Sequence, residues 1–252
     1  MAFGRNNEQI ARLSGLTQAT QESQLDAGLR QYMLRVYNYM ASGLILTGIF
    51  AYGGTKFPAL LNMMYSVGPS GSYSPTIFAW IIMLSPLAFI LVLNFGIQRM
   101  QASTAQAVFW TFAAIMGLSL THIFIVYTGA SITRVFFITA GTFAAMSLYG
   151  YTTKRDLSKF GSFLFMGLIG IVIASVVNIF MQSSAMAFVI SVVGVLVFVG
   201  LTAHDTQNIK RMYIEGEQSE TATKKAVMGA LSLYLDFLNL FMMLLHLLGD
   251  RR

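Results

Sequence analysis

Long intervals of this chain carry no charge at all: 36–55, 57–98, 100–133, 135–153 and 160–204, while 226–249 carries only Asp236. A helix that crosses the hydrocarbon core of a bilayer needs about 20 apolar residues, so the longest intervals must each hold two. The pattern predicts seven spanning helices, near 36–55, 77–98, 105–127, 133–152, 161–181, 185–207 and 226–248. Most links are short and none is large enough to fold alone, so 35–252 is expected to form one transmembrane domain. Residues 1–34 are polar, mixed in charge and rich in Gln, with no apolar signal core or small-residue cleavage site. They are expected to form a partly ordered cytoplasmic tail. The turn-rich stretch 66–76, with two Pro and two Gly, predicts an external loop.

Composition confirms the class. Of the 252 residues 56% are hydrophobic and 10% charged, against about 25% charged in soluble domains. The expectation is an all-α integral membrane protein. The net charge of +6 does not point to nucleic acid, because the basic residues gather beside the spans. Arg5, Arg12, Arg30 and Arg35 precede the first, Arg99 follows the second, Lys154, Arg155 and Lys159 follow the fourth, and Lys210, Arg211, Lys224 and Lys225 follow the sixth. These twelve fall on one face, against Lys56, Arg134, Arg251 and Arg252 on the other. The positive-inside rule therefore puts the N-terminus in the cytoplasm. Arg251 and Arg252 fit poorly outside, so a last segment that re-enters instead of crossing is the competing topology. Cys is absent, which removes disulfide and thiol chemistry.

Within the spans, Asp236 is the costly residue. A carboxylate at bilayer depth costs roughly 3 kcal/mol or more on insertion and normally faces a bundle interior, a partner or a water path. Ser232, Asp236, Asn239, Met243 and His246 follow spacings of 4, 3, 4 and 3, so they share one helical face. Interhelical hydrogen bonding alone would explain such a seam for the neutral side chains, but less readily for a carboxylate. A second acid, Asp205, lies near the end of the sixth span in Thr202-Ala-His-Asp-Thr-Gln-Asn-Ile-Lys210, flanked by His204 and followed on its own face by Asn208. Alone it reads as an ordinary interfacial charge. Paired with Asp236 it reads differently: two carboxylates in a low-dielectric site do not both ionise cheaply, so they share a proton or take up a cation. Asp236 lies roughly 15 Å from the start of its helix, so contact with the shallower Asp205 requires tilt or an offset.

Three His residues, His122, His204 and His246, raise the question of a zinc-dependent hydrolase, which needs converging ligands and an open water position. No paired-His spacing supports it, and His122 reads instead as a hydrogen-bonder between helices. The expectation is no enzyme activity and no resident cofactor. Gly167 with Gly170, and Gly194 with Gly200, are explained by close helix packing.

Two motifs carry a resemblance to the Bax inhibitor, or transmembrane Bax-inhibitor-motif, family in its bacterial form. One is Tyr151-Thr-Thr-Lys-Arg-Asp-Leu-Ser158, continued by Gly161-Ser-Phe-Leu-Phe-Met-Gly167. The other is Ala230-Leu-Ser-Leu-Tyr-Leu-Asp-Phe-Leu-Asn-Leu-Phe241, preceded by Asp205-Thr-Gln-Asn-Ile. The resemblance covers about 25–250. It implies six helices packed around a central seventh, location in the bacterial inner membrane, and a pH-sensitive calcium leak in which Asp205 pairs with Asp236. It also implies a basic latch on the first acid, here Arg99, and it is similar to family members that regulate stress responses or membrane-protein turnover. Arg99 stands alone where the family carries a basic cluster, and His204 replaces a Tyr common before the acid.

With that resemblance the leading expectation is a pH-sensitive cation leak channel with Asp205 and Asp236 as proton and calcium site, backed by Ser232, Asn239, His246, Asn208 and His204. Calcium prefers oxygen ligands, which two carboxylates, Asn239 and backbone carbonyls supply. A non-transporting regulator that binds a partner such as a membrane protease is the alternative.

Overall fold

The structure, a computed structural model, describes residues 3–68 and 73–252, with side chains from Ala27 onward except those of 67 and 73. Nine helices and one small hairpin are described: α1 (Phe3–Gly54), α2 (Pro58–Met64), β1 (Tyr65–Val67), β2 (Tyr73–Pro75), α3 (Ile77–Gly96), α4 (Ala102–Ser119), α5 (Thr121–Val126), α6 (Gly129–Thr152), α7 (Ser158–Met181), α8 (Ser184–Arg211) and α9 (Ser219–Leu248). Six of these helical stretches are long and apolar enough to cross a membrane, and α1 bent into α2 makes a seventh. This is an all-α multi-pass membrane fold.

Differences from the expected spans have local causes. The third span is broken at Leu120, whose backbone leaves the helical region between α4 and α5. The first span turns by 90° into α2, where Pro58 takes a first-turn position that needs no N–H donor. The expected external loop is partly ordered as the hairpin: Tyr65 pairs with Pro75, and Ser66 with Ser74. Its tip, 69–72, lies outside the described residues, as do the side chains of the expected tail up to 26. The tail backbone that is described continues α1 as helix.

At the centre is α9, half of whose spanning stretch is buried, against 6% for α7. It packs directly on α1, α4, α6 and α8, while α3 joins through α4 and α7 through α8. The expected ring of six is therefore four helices in contact with the seventh and two outer ones. Each face of α9 has its own partner. Tyr234 turns to α1 and α4, edge-on to Phe109 and Phe112 and bonded to Thr47 at 2.6 Å. Phe237 and Phe241 meet Phe136 of α6 edge-on, and Phe237 also meets Phe143, an arrangement that aligns ring edges with ring faces. The third face looks to α8, where Gly229 lies against Ile209 and Met243 against Gly194.

α9 is one unbroken helix of 30 residues, about 45 Å long. Thr223 near its start bonds Arg35 at the beginning of the first span. Past its end, the Asp250 carbonyl accepts from Thr128 N, and Arg252 N donates to Val126 O. Those partners lie at opposite ends of the bundle, so the last helix runs the bundle's full length.

Candidate functional site

Asp236 is 5% exposed, and its Oδ2 has no hydrogen-bond partner among the described residues. A buried polar atom left unpaired costs about 1–3 kcal/mol, so its retention in the middle of the central helix calls for a function or an unseen ligand. The two contacts between α8 and α9 fix the register. From Met243 on Gly194, seven residues back along α9 reach Asp236, and seven forward along α8 reach Leu201. From Gly229 on Ile209, the same seven steps pair Asp236 with Thr202. Asp205 lies three to four residues further on, about one helical turn or 5–6 Å along the axis. The offset that the sequence required is therefore only one turn.

Asp205 is held by its neighbour: Oδ1 lies 2.9 Å from His204 Nδ1. Asn208 Nδ2 lies 3.2 Å from His204 Nε2, making His204, Asp205 and Asn208 one cluster at the end of α8. The His204 ring packs over Gly161, where a Cβ would have no room; that explains a Gly one turn into α7. Arg99 is exposed in the turn after α3 and forms no ion pair among the described residues. α3 belongs to the outer pair of helices, so Asp205 is paired with His204 and the latch to Arg99 is not formed. On α9, Ser232 and Asn239 are half-buried beside Asp236, while His246 is exposed at the far end.

His122 Nδ1 donates to the carbonyl of Ser119 at 2.9 Å. This spans the break between α4 and α5 within one span, where sequence suggested a bond between helices. The three His residues do not converge, and among the described residues no group of three His, Asp or Glu could hold a metal ion.

Comparison with known proteins bears on these motifs directly. The family model described as Inhibitor of apoptosis-promoting Bax1 matches residues 29–252. The chain belongs to the Bax inhibitor family. It is 46% identical over 237 residues to an uncharacterised protein of Rickettsia prowazekii, covering 94% of this chain and 97% of the relative. It is 46% identical over 231 residues to the inner membrane protein YbhL of Escherichia coli, covering 90% and 94%. An uncharacterised membrane protein of Streptococcus pyogenes is 35% identical over 227 residues, covering 90% and 96%.

In this Bax inhibitor family chain, the first motif is a clamp on the end of α8. Gln207 Oε1 accepts from Leu157 N and its Nε2 donates to Arg155 O, both at 2.8 Å. Lys210 Nζ donates to Tyr151 O at 2.9 Å and lies over the Tyr151 ring. Arg211 pairs with Asp156 at 2.8 Å and donates to Ser158. The Asp156 carboxyl is exposed, yet the hydrogen bonds from Arg211 and from the Ser158 backbone hold it down at about 2. A buried hydroxyl chain lies beside the clamp, with Tyr37 at 2.7 Å from Ser147 and Ser147 at 2.9 Å from Thr206. Sequence reasoning passed over Gln207, Tyr37, Ser147, Thr206, Thr47 and Tyr234. For Gln207 and Thr206 the available signal was position, since both flank the acid inside the quoted element.

Proposed function

We propose that this protein is a proton-regulated cation leak in the inner membrane, with calcium as cargo and Asp205 and Asp236 as the pair that holds it. The observation that carries the reading is the unpaired Oδ2 of Asp236 on the face of a spanning helix turned to α8, one helical turn from Asp205. Two carboxylates so placed bind a proton or a divalent cation in competition. Asn239, one turn from Asp236, adds an amide oxygen, and the pair is only two carboxylates, which keeps binding weak enough for release. His204 holds Asp205 in place of the Arg99 latch. The basic end is the cytoplasmic one, on the positive-inside rule, and the printed name of the Escherichia coli relative supports the inner membrane. The test is calcium flux in liposomes reconstituted with Asp236→Asn. Flux that no longer responds to pH is expected; a variant with unaltered flux and pH response removes Asp236 from the mechanism.

A non-transporting regulator is the second reading. It is favoured by the clamp, which presents Lys154, Arg155 and Lys159 as an exposed basic surface of fixed geometry. A membrane protease is the partner it would bind. Co-isolation with such a protease by purified protein that passes no cation would decide for it.

A further inference from the structure

At the end of the bundle opposite the clamp, a cavity of about 570 Å³ opens between α7, α8 and α9. Neutral polar side chains, among them Ser175, Asn178, Gln182 and Ser191, share its walls with apolar ones such as Ile179, Phe188 and Ile190, and His246 and Arg251 also line it. No carboxylate lines it. Asn178 and Ser191 are tied to the walls: Asn178 Oδ1 accepts from Ser183 N at 3.0 Å, and Ser191 Oγ donates to Ala187 O at 2.8 Å. Arg251 stands over the Tyr127 ring at 5.9 Å. The cavity holds several water molecules by volume, since one occupies about 30 Å³ in the liquid.

Met243 is also in its lining, and Met243 is the residue of the polar seam next to His246 on the way to Asp236. Its thioether sits in the notch left by Gly194: a Cβ there would lie 2.7 Å from Sδ and 2.8 Å from Cγ. On the inner side of that contact the face of α8 continues through buried Phe198, one turn on. By the register above, Phe198 stands opposite Asn239. Asp236 follows about 10 Å beyond Met243 along α9. The order from the cavity inward is therefore His246, Met243 on Gly194, Asn239 opposite Phe198, then the unpaired carboxylate.

We infer that the cavity is the outer vestibule of the carboxylate pair, taking a hydrated cation on its neutral oxygens, and that Met243 seated on Gly194 is the barrier between them. The inference rests on the cation-leak reading and names the closed point of that same path. Met is unbranched, with three rotatable bonds, so this plug swings aside by rotamer change without moving a helix. Gly194 makes the seat, because any side chain at that position would push the thioether out of it.

The chain has no Cys, so single cysteines report access without background. Asn239→Cys and His246→Cys are reconstituted in vesicles and treated with a membrane-impermeant maleimide, with labelling after denaturation as the measure of total thiol. His246→Cys is expected to label. Asn239→Cys is expected to stay at background with Met243 or Met243→Leu, and to rise to the His246→Cys level with Met243→Ala. Phe198→Cys repeats the reading from the facing helix if the Asn239 variant fails to fold. Labelling of Asn239→Cys with Met243 intact overturns the barrier. So does protection that persists in Met243→Ala while His246→Cys labels. Calcium flux in vesicles carrying the parent protein and Met243→Ala alone, with Asn239 intact, separates the two levels: access without flux removes the leak and keeps the barrier, whereas flux with access unchanged by Met243→Ala removes the barrier and keeps the leak.

Discussion

The two ends of α8 are built in opposite ways. At the basic end, Gln207, Lys210 and Arg211 tie the 151–158 segment down by side-chain bonds, and α6 approaches so closely that Gly150 lies on the backbone of Ala203. At the far end the same helix borders the cavity of about 570 Å³, and Gly194 there faces the Met243 side chain. Hydrogen bonds to backbone and backbone-on-backbone packing leave no freedom, whereas a long unbranched side chain in a glycine notch leaves a good deal. One end is built to stay and the other to yield, with Asp205 in the first and Asp236 between the two.

The sharpest way to break this contrast is one substitution made at each end. Gly150→Ala places a methyl group on the Ala203 carbonyl, which cannot retreat, and is expected to cost about 1–3 kcal/mol of stability in thermal unfolding in detergent. Gly194→Ala displaces only Met243 and is expected to cost under about 1 kcal/mol. Equal losses at the two sites would remove the distinction.

A smaller effect is expected from Gln207→Ala. It leaves the Leu157 N–H and the Arg155 carbonyl without their partner, at about 1–2 kcal/mol, and should speed proteolytic cutting within 153–158. Unchanged cutting would show that the clamp does not depend on Gln207. The smallest concerns Arg211→Gln. Asp156 has its carboxyl lowered from 3.8 to about 2 in the folded protein, so its contribution is complete above the higher value and is lost as pH falls through the lower. The stability gap between the parent and Arg211→Gln should be full above about pH 4 and close by about pH 2. A gap that persists at the acid end would assign the effect to packing instead of charge.

How much of this was legible beforehand follows from which forces leave a trace in sequence. The spans were, because exclusion of charge from lipid acts on every residue of a helix. The seam from Ser232 to His246 was, because a shared face needs only helical periodicity. The break at Leu120 was not, since Ser-Leu-Thr contains no Pro or Gly to mark it. The two outer helices were not, because an apolar helix reads the same against lipid as against protein. For the site, Asp205 and Asp236 were legible as candidates through their cost, but their one-turn offset was not. It depends on two contacts with glycine and isoleucine, Gly194 and Ile209, that carry no charge to announce them. Arg99 shows the converse: resemblance placed a latch there, while this chain gives Asp205 the adjacent His204.

The central position of α9 bears on how the protein is made. Six spans precede it in the sequence, and four of the helices that enclose it leave the ribosome before it does. The bundle must therefore be held in the membrane with its middle unfilled, and the segment that fills it brings the least lipid-compatible residue of the chain. Asp236 is expected to make α9 a poor inserter alone and a good one beside its finished neighbours, so that assembly ends with the helix carrying the chemistry. Substituting Asp236 by Leu would let the segment insert early, before its slot is ready.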